Sequence, residues 1–412
     1  MNNSSTLSCI RCQTNYDLLK IRFTCSCGGP LEIKQLRKGN AEHLNLFKER
    51  LLSKVPEERS GVWRFKEFVA DLPISKVVSH SEGGIALRNS VVLSTWLDAP
   101  ELLIKHEGLN PTGSFKDRGM TVAVSVALQM KQKILACAST GNTSSSLAAY
   151  ASKAGLKSVV FLPDGKVSQG KLAQTLGFGA HVFAVKGDFD KAMSIVHSLS
   201  LENRLYLVNS LNPFRIEGQK TIIWELLQDL DWKSPDWIFV PGGNLGNTSA
   251  FGKAIKEAYD WGWIKTKPKL VTVQAEGASP FYKSFLTGFA KIEPVTADTV
   301  ATAIRIGNPV NYEKAVQAIL DTKGQVISVT DQEIMESKHK IDGAGIGCEP
   351  ASAASVAGIK KLRQLGVLKK DDRVVAILTG HMLKDTQLIK QNEHFTVLDA
   401  NLDAIRAALD KV

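Results

Sequence analysis

A lysine at the foot of a helix is the chain's most suggestive reactive group. Leu102-Leu103-Ile104 reads as the end of a strand, and Asn110-Pro111-Thr112-Gly113 reads as a turn. Val122, Ala123, Val126, Ala127 and Met130 then fall on one helical face. Lys116 therefore stands where a loop enters a helix, beside free N–H groups and partial positive charge. An ammonium is disfavoured there by the dipole. Two readings are open. One is a surface lysine in a polar turn, the usual place for this residue. The other is an amine kept neutral by desolvation and nearby positive charge, fit to form a Schiff base.

Other strand-to-helix turns carry anion-binding residue types. Ile134 to Ala138 reads as a strand and feeds Ser139-Thr140-Gly141-Asn142-Thr143-Ser144, with a helix expected over 145–153. Backbone N–H groups and hydroxyls at such a turn bind anions; an N-cap cluster is the plainer alternative. Tyr206-Leu207-Val208 delivers Asn209 and then Asn212-Pro213-Phe214-Arg215. Arg215 suits bidentate phosphate binding, or a surface pair with a carboxylate such as Glu217. The strand Trp237 to Pro241 enters Gly242-Gly243-Asn244-Leu245-Gly246-Asn247-Thr248-Ser249, ahead of a helix over 250–260. Glycines there let backbone approach a phosphate. The spacing is not Gly-x-Gly-x-x-Gly, which excludes a nicotinamide fingerprint. Gly165 to Lys171 has Walker A spacing, but Leu172 stands where a hydroxyl must reach magnesium. Glu349 either faces a cofactor ring or is a helix-start acid.

The run Asn-Pro-Thr-Gly-Ser-Phe-Lys-Asp-Arg-Gly over 110–119 resembles the cofactor-lysine segment of the threonine synthases, within the type II pyridoxal-phosphate enzymes. Ser139 to Thr143, Asn209 to Arg215, the loop from Gly242 and Thr379-Gly380-His381-Met382-Leu383-Lys384-Asp385 resemble further loops of that family, and the likeness spans residues 7–409. Met382 replaces a family glycine. The resemblance implies pyridoxal 5'-phosphate on Lys116, with Asn142 on its ring hydroxyl and Thr379 on the pyridine nitrogen. Gly242, Gly243, Asn244, Leu245, Gly246 and Asn247 would take its phosphate. Ser139, Thr140 and Thr143 would hold the substrate carboxylate, and Asn209 and Arg215 its phosphate. The implied reaction turns O-phospho-L-homoserine and water into L-threonine and phosphate. A phosphoserine-using cysteate synthase and a threonine ammonia-lyase are the alternatives within the fold; Arg215 argues against the lyase. A zinc-ribbon nucleic-acid protein on a dead scaffold is the alternative outside it, and an intact Lys116 argues against that.

These turns must be positioned by strands alternating with helices from about residue 100 to 380, which gives an α/β class with mainly parallel sheets. With 412 residues the chain is too long for one core. The type II fold implies two α/β domains: 121–207 as the smaller, 39–120 with 208–412 as the larger. Residues 34 to 72 read as mostly helical, anchored by Trp63 and Phe68. Ahead of them, 1–38 reads as a cysteine-rich segment. Cys9, Cys12, Cys25 and Cys27 could hold Zn2+ as a zinc-ribbon-like module, with two short strands expected between Tyr16 and Phe23. A ribbon that has lost its metal, or plain buried thiols, is the alternative. The charge of +10 is spread along the chain and interleaved with acids, without a run of five or more like charges, which argues against nucleic acid. No apolar run reaches membrane-span length and no signal peptide is visible. A cytoplasmic homodimer is expected.

Overall fold

The computed structural model describes residues 5–139, 141–164, 169–186, 189–389 and 396–410, with backbone alone at 169–171 and 189–193. Its strands are β1 (Ser5–Cys9), β2 (Asn15–Tyr16), β3 (Leu31–Gln35), β4 (Leu102–His106), β5 (Ile134–Ala138) and β6 (Lys157–Pro163). They continue as β7 (His181–Val185), β8 (Tyr206–Leu207), β9 (Trp237–Pro241), β10 (Lys269–Ala275), β11 (Gln325–Val329) and β12 (Val374–Leu378). Three sheets result, ordered β2-β1-β3, β11-β10-β9-β12-β4 and β7-β6-β5-β8. The first is antiparallel and the other two are parallel throughout.

Parallel strands buried on both faces read as near-continuous apolar runs, and β9 and β12 are buried at every position. Alternation then splits each strand between two cores. Ile238, Val240, Val375 and Ile377 face one side of the five-stranded sheet, and Trp237, Phe239, Val374 and Ala376 face the other. Leu135 and Cys137 face one side of the four-stranded sheet, while Ala136 and Leu207 face the other. Because the strands are parallel, their C-terminal ends share one edge of each sheet, and the polar turns gather there. The register Leu378↔His106 sets the loop after β12 directly beside the loop after β4.

The segment after β3 is helical over Ala41–Arg50 and in short turns beyond. Phe47, Phe65 and Phe68 pack with Trp224, Trp261 and Trp263, and Trp63 donates its indole N–H to Thr121 Oγ1 at 2.8 Å. The N-terminal sheet differs from expectation. Only one short strand, β2, lies between the two cysteine pairs, and it ends at Tyr16 instead of the chain continuing as two strands to Phe23; β1 pairs with β3 from Ser5↔Gln35 to Cys9↔Leu31. The intervening chain turns back through Asp17, whose carboxylate accepts from Leu19 N at 2.9 Å, which favours a turn over a ladder.

Candidate active site

Lys116 is the first residue of the helix Lys116–Gln129, and the Phe115 before it contributes no side-chain cap. Asp117 ties down this first turn. Its carboxylate accepts from Thr112 N at 2.7 Å, Thr112 Oγ1 at 2.6 Å and Ser146 Oγ at 2.6 Å. The preceding loop is stitched to the loop after β12: Phe115 N donates to Thr379 O at 3.0 Å, and His381 N donates to Gly113 O at 2.9 Å. Lys116 is half-buried, its open side lining a cavity of about 1360 Å³. Burial pushes its pKa down to about 7; Arg215 adds to the depression and Glu349 opposes it. Among the described residues no carboxylate pairs with it, and its Nζ lies 4.4 Å from the Phe115 ring centre.

Arg215 lines the same cavity at 1% exposure. Glu217 is not its partner; it pairs instead with Lys220 at 2.6 Å and with Lys253. The Arg215 Nη1 donates to Val208 O at 3.1 Å, while Nε and Nη2 are buried without a partner. Burial lowers this guanidinium to about 10. One turn further along the helix Pro213–Asp229, Gln219 is buried, lines the cavity and leaves Oε1 unbonded. Unpaired buried polar atoms are costly, so three in one wall mark a place built for a polar ligand. Gln219 escaped the sequence reading, yet its i+4 spacing from Arg215 would have put both on one helix face.

The glycine loop after β9 leads into the helix Gly246–Asp260. Its glycines serve close approach: a Cβ on Gly242 would lie 2.4 Å from Thr272 Cγ2, and one on Gly243 3.0 Å from Ile304 Cα. Leu245 takes the left-handed turn, at φ +60°. With no side-chain cap, the first-turn amides of Gly246, Asn247 and Thr248 have no partner within the helix. Asn244 lines the cavity, and Asn247 leaves Oδ1 buried and unbonded.

The hydroxyl-rich turn after β5 is helical from Asn142, three residues earlier than expected. Ser139 and Thr143 line the cavity, whereas Thr140 lies outside the described residues. Asn209 also lines it, but its amide brackets the backbone of Ala138, accepting from N and donating to O at 3.0 Å each. Asn142 Nδ2 donates to the Glu349 carboxylate at 3.0 and 3.3 Å. Glu349 is itself buried and lies on Gly380, where a Cβ would come within 2.4 Å of it. Burial raises its pKa, against the pull of Asn142, Lys384 and Lys116. Thr379 Oγ1 shares a 2.9 Å hydrogen bond with Ser352 Oγ.

A sequence model of the pyridoxal-phosphate dependent enzymes matches residues 78–380. Threonine synthases of Methanocaldococcus jannaschii and Methanosarcina acetivorans are each 45% identical, across 98% of this chain and 99% and 98% of theirs. The chain belongs to the pyridoxal-phosphate dependent enzymes, among the threonine synthases. The solved threonine synthase of Escherichia coli matches with TM-score 0.72 at 15% identity, covering 98% of this chain and 99% of that one. A threonine deaminase of Solanum lycopersicum matches with TM-score 0.64 at 21% identity, covering 85% and 90%. Both share the fold.

The residues present fit pyridoxal phosphate. A lysine of depressed pKa suits a covalent anchor, and the open amides after β9 suit a phosphate. Thr379 offers a neutral hydroxyl. Apart from this cavity, the sulfurs of Cys9, Cys12, Cys25 and Cys27 all lie within 4.8 Å of one another. Tetrahedral Zn–S bonds of about 2.3 Å require sulfur separations of roughly 3.8 Å, so the four fit one zinc ion. Gly28, at φ +77°, permits the tight Cys-x-Cys knuckle, and a Cβ on Gly29 would lie 2.7 Å from Cys9 Sγ. Tyr16 donates to Cys25 and pulls its thiol down, towards the thiolate a metal needs, while the neighbouring thiols push Cys27 up.

Proposed function

We propose that this chain is a threonine synthase that converts O-phospho-L-homoserine and water to L-threonine and phosphate. The observation that carries the substrate is Arg215. It is a buried guanidinium without an acidic partner, two of its nitrogens are unbonded, and it shares a cavity with Lys116. An enzyme acting on an unphosphorylated amino acid would have less use for that uncompensated charge. The 45% identity to threonine synthases over nearly the whole chain supports the same reading.

Lys116 would hold the cofactor through Nζ and, once displaced by the substrate amine, move protons at the substrate carbons. Its pKa of about 7 suits both tasks, since near neutral pH the amine is available in either form. When bound, pyridoxal phosphate supplies the electron sink. Gly242, Gly243, Asn244, Leu245, Gly246 and Asn247 would take its phosphate. Asn142, steadied by Glu349, would face the ring hydroxyl, and Thr379 the ring nitrogen. Ser139, Thr140 and Thr143 would receive the substrate carboxylate. Arg215 would fork onto the substrate phosphate, with the remaining N–H of Asn209 beside it.

We read 121–207 as the smaller domain and 39–120 with 208–412 as the larger, with 1–38 as a separate zinc-bearing segment. The division follows the two parallel sheets, between whose turns the cavity lies. A cytoplasmic homodimer completes the proposal; among the described residues no helix is long and apolar enough to cross a membrane. Phosphate release from O-phospho-L-homoserine, set against O-phospho-L-serine with sulfite, tests the substrate. Faster turnover of the second pair would make the chain a cysteate synthase. Borohydride should trap the cofactor on Lys116, and trapping on another lysine would overturn the site. Elemental analysis should find one zinc per chain.

A further inference from the structure

Lys384 follows the last strand of the five-stranded sheet, in a short helical turn over Met382–Lys384. Its side chain passes over the loop before Lys116, where a Cβ on Gly113 would sit 2.9 Å from its Cε. It then crosses to the other sheet. Nζ donates to Ser145 Oγ at 3.1 Å and to Gln174 Oε1. Ser145 belongs to the first turn of the helix Asn142–Lys153, two residues beyond Thr143. Lys384, Ser145, Thr143 and Ser139 all line the cavity. Both acceptors are neutral, and among the described residues Lys384 makes no ion pair. An ammonium has three donors, so one remains for an anion. Burial disfavours its charge, with Asp117 and Glu349 acting in the opposite direction.

We propose that Lys384 is a specificity-determining residue that recognises the substrate's carboxylate alongside the hydroxyls of Ser139 and Thr143. The inference rests on the reading of this cavity as an amino-acid site. Its logic is charge. Arg215 is committed to one anionic group, and helix amides and hydroxyls alone leave the carboxylate without a counter-ion. Lys384 supplies one, and its bonds to Ser145 and Gln174 hold the ammonium in place across the cleft before the anion arrives. That preorganisation lowers the cost of binding.

The test uses the cofactor-loaded enzyme and reads dissociation constants from cofactor absorbance on mixing. Three probes suffice: O-phospho-L-serine, O-phosphoethanolamine, which lacks only the carboxylate, and L-serine, which lacks only the phosphate. The ratio of the first two is the carboxylate increment, and the ratio of the first and third is the phosphate increment. Lys384→Met should shrink the carboxylate increment roughly 10- to 100-fold, the range for a hydrogen bond to a charged group, and leave the phosphate increment unchanged. Lys384→Arg, which keeps the charge, should recover most of the loss. Equal weakening of all three probes in Lys384→Met would make the lysine a mere strap. A loss confined to the phosphate increment would make it a phosphate ligand. Either result overturns the proposal. A wild type without any phosphate increment would sink the phosphorylated substrate and leave the carboxylate role of Lys384 standing.

Discussion

Two arginines, Arg118 and Arg215, are equally hidden from water and have opposite surroundings. Arg118 donates to Glu107 twice at 2.7 Å, to Glu225 at 2.7 Å and to Gly61 O at 3.0 Å. Glu225 is shared with Arg64 at 2.8 Å and Lys105 at 2.9 Å, and also accepts from Gly84 N and Ile85 N. Burial alone would lower the Arg118 guanidinium, but Glu107 and Glu225 more than offset it. Arg215 has one carbonyl and no acid, so burial wins. The comparison separates two uses of buried charge. A charge whose partners are all protein closes a junction between chain segments. One whose partners are missing is a site that a ligand completes.

Chemistry should respond most strongly at Lys116, where the unpaired region does its work. Lys116→Ala should lose turnover by more than about 10³-fold, since a covalent anchor and a proton-transfer group disappear together. Thermal unfolding of the apoprotein should hold or move up near neutral pH, because no hydrogen bond or ion pair is broken and a desolvated amine is removed. A large drop in melting temperature would show that Lys116 supports the fold.

At the paired arginine the expectation inverts. Arg118→Met leaves Glu107 without a cation in the interior, takes one of three cations from Glu225, and should destabilise the protein by about 3–5 kcal/mol in denaturant unfolding. The folded fraction should keep near-normal kcat. Arg215→Met should instead reduce kcat/KM for O-phospho-L-homoserine by about 2–4 kcal/mol, the cost of stripping a partner from a charged pair. Its stability should hold or rise, because a desolvated charge is replaced by a methionine of similar shape. If both variants unfold equally easily, the contrast between the two arginines fails.

What the sequence made legible was local. Chain-order strands, glycine and hydroxyl turns and the lysine at a helix start all leave marks within a few residues. The marks blurred at helix starts: the helices at Asn142 and Gly246 begin in residues of poor helix propensity, and tertiary packing holds them there. Long-range pairings left none. Asn142 meets Glu349 across 207 positions and Lys384 meets Ser145 across 239. Nothing short-range distinguishes Arg118, deep in its carboxylate cluster, from Arg215, or reveals that Asn209 spends its amide on Ala138. Of the two strands expected between the cysteine pairs only Asn15–Tyr16 forms, for the same reason, since the longer partner of β1 lies beyond the second knuckle.

Protonation gives a smaller, graded handle on the unpaired region. Lys116 in the folded apoprotein titrates at about 7, against 10.5 for an ordinary lysine. Between those values the unfolded chain binds the extra proton, so this group's contribution to stability rises with pH by up to about 1.4 kcal/mol per unit. It is lost as pH falls through 7. Apoprotein unfolding measured from pH 7 to 10 should therefore rise more steeply in wild type than in Lys116→Met. Because Arg215 helps depress Lys116, the window should narrow from below in Arg215→Met. An identical slope in all three proteins would mean that Lys116 is solvated.

The gentlest probe is Gln219, which tests whether orphaned neutral groups follow the rule of the orphaned charge. Its Oε1 is buried without a partner while the amide lines the cavity one helical turn from Arg215. A Cβ on Gly119 would touch its Nε2 at 3.1 Å, and one on Gly246 its Oε1 at 3.3 Å, so the side chain is wedged between the Lys116 helix and the glycine loop. Leucine fills nearly the same space without a polar atom. Gln219→Leu should therefore stabilise the apoprotein by about 1 kcal/mol, the desolvation penalty recovered. The same change should weaken inorganic phosphate as a competitor of O-phospho-L-homoserine by several-fold, since the amide Nε2 beside that oxygen is lost as a donor, and one hydrogen bond to an anion is worth about 1.5 kcal/mol or more. Gains in stability paired with losses in phosphate affinity would extend the rule from charges to amides. A loss in both would mean that Gln219 is a packing spacer, and that the unpaired wall of the cavity ends at Arg215.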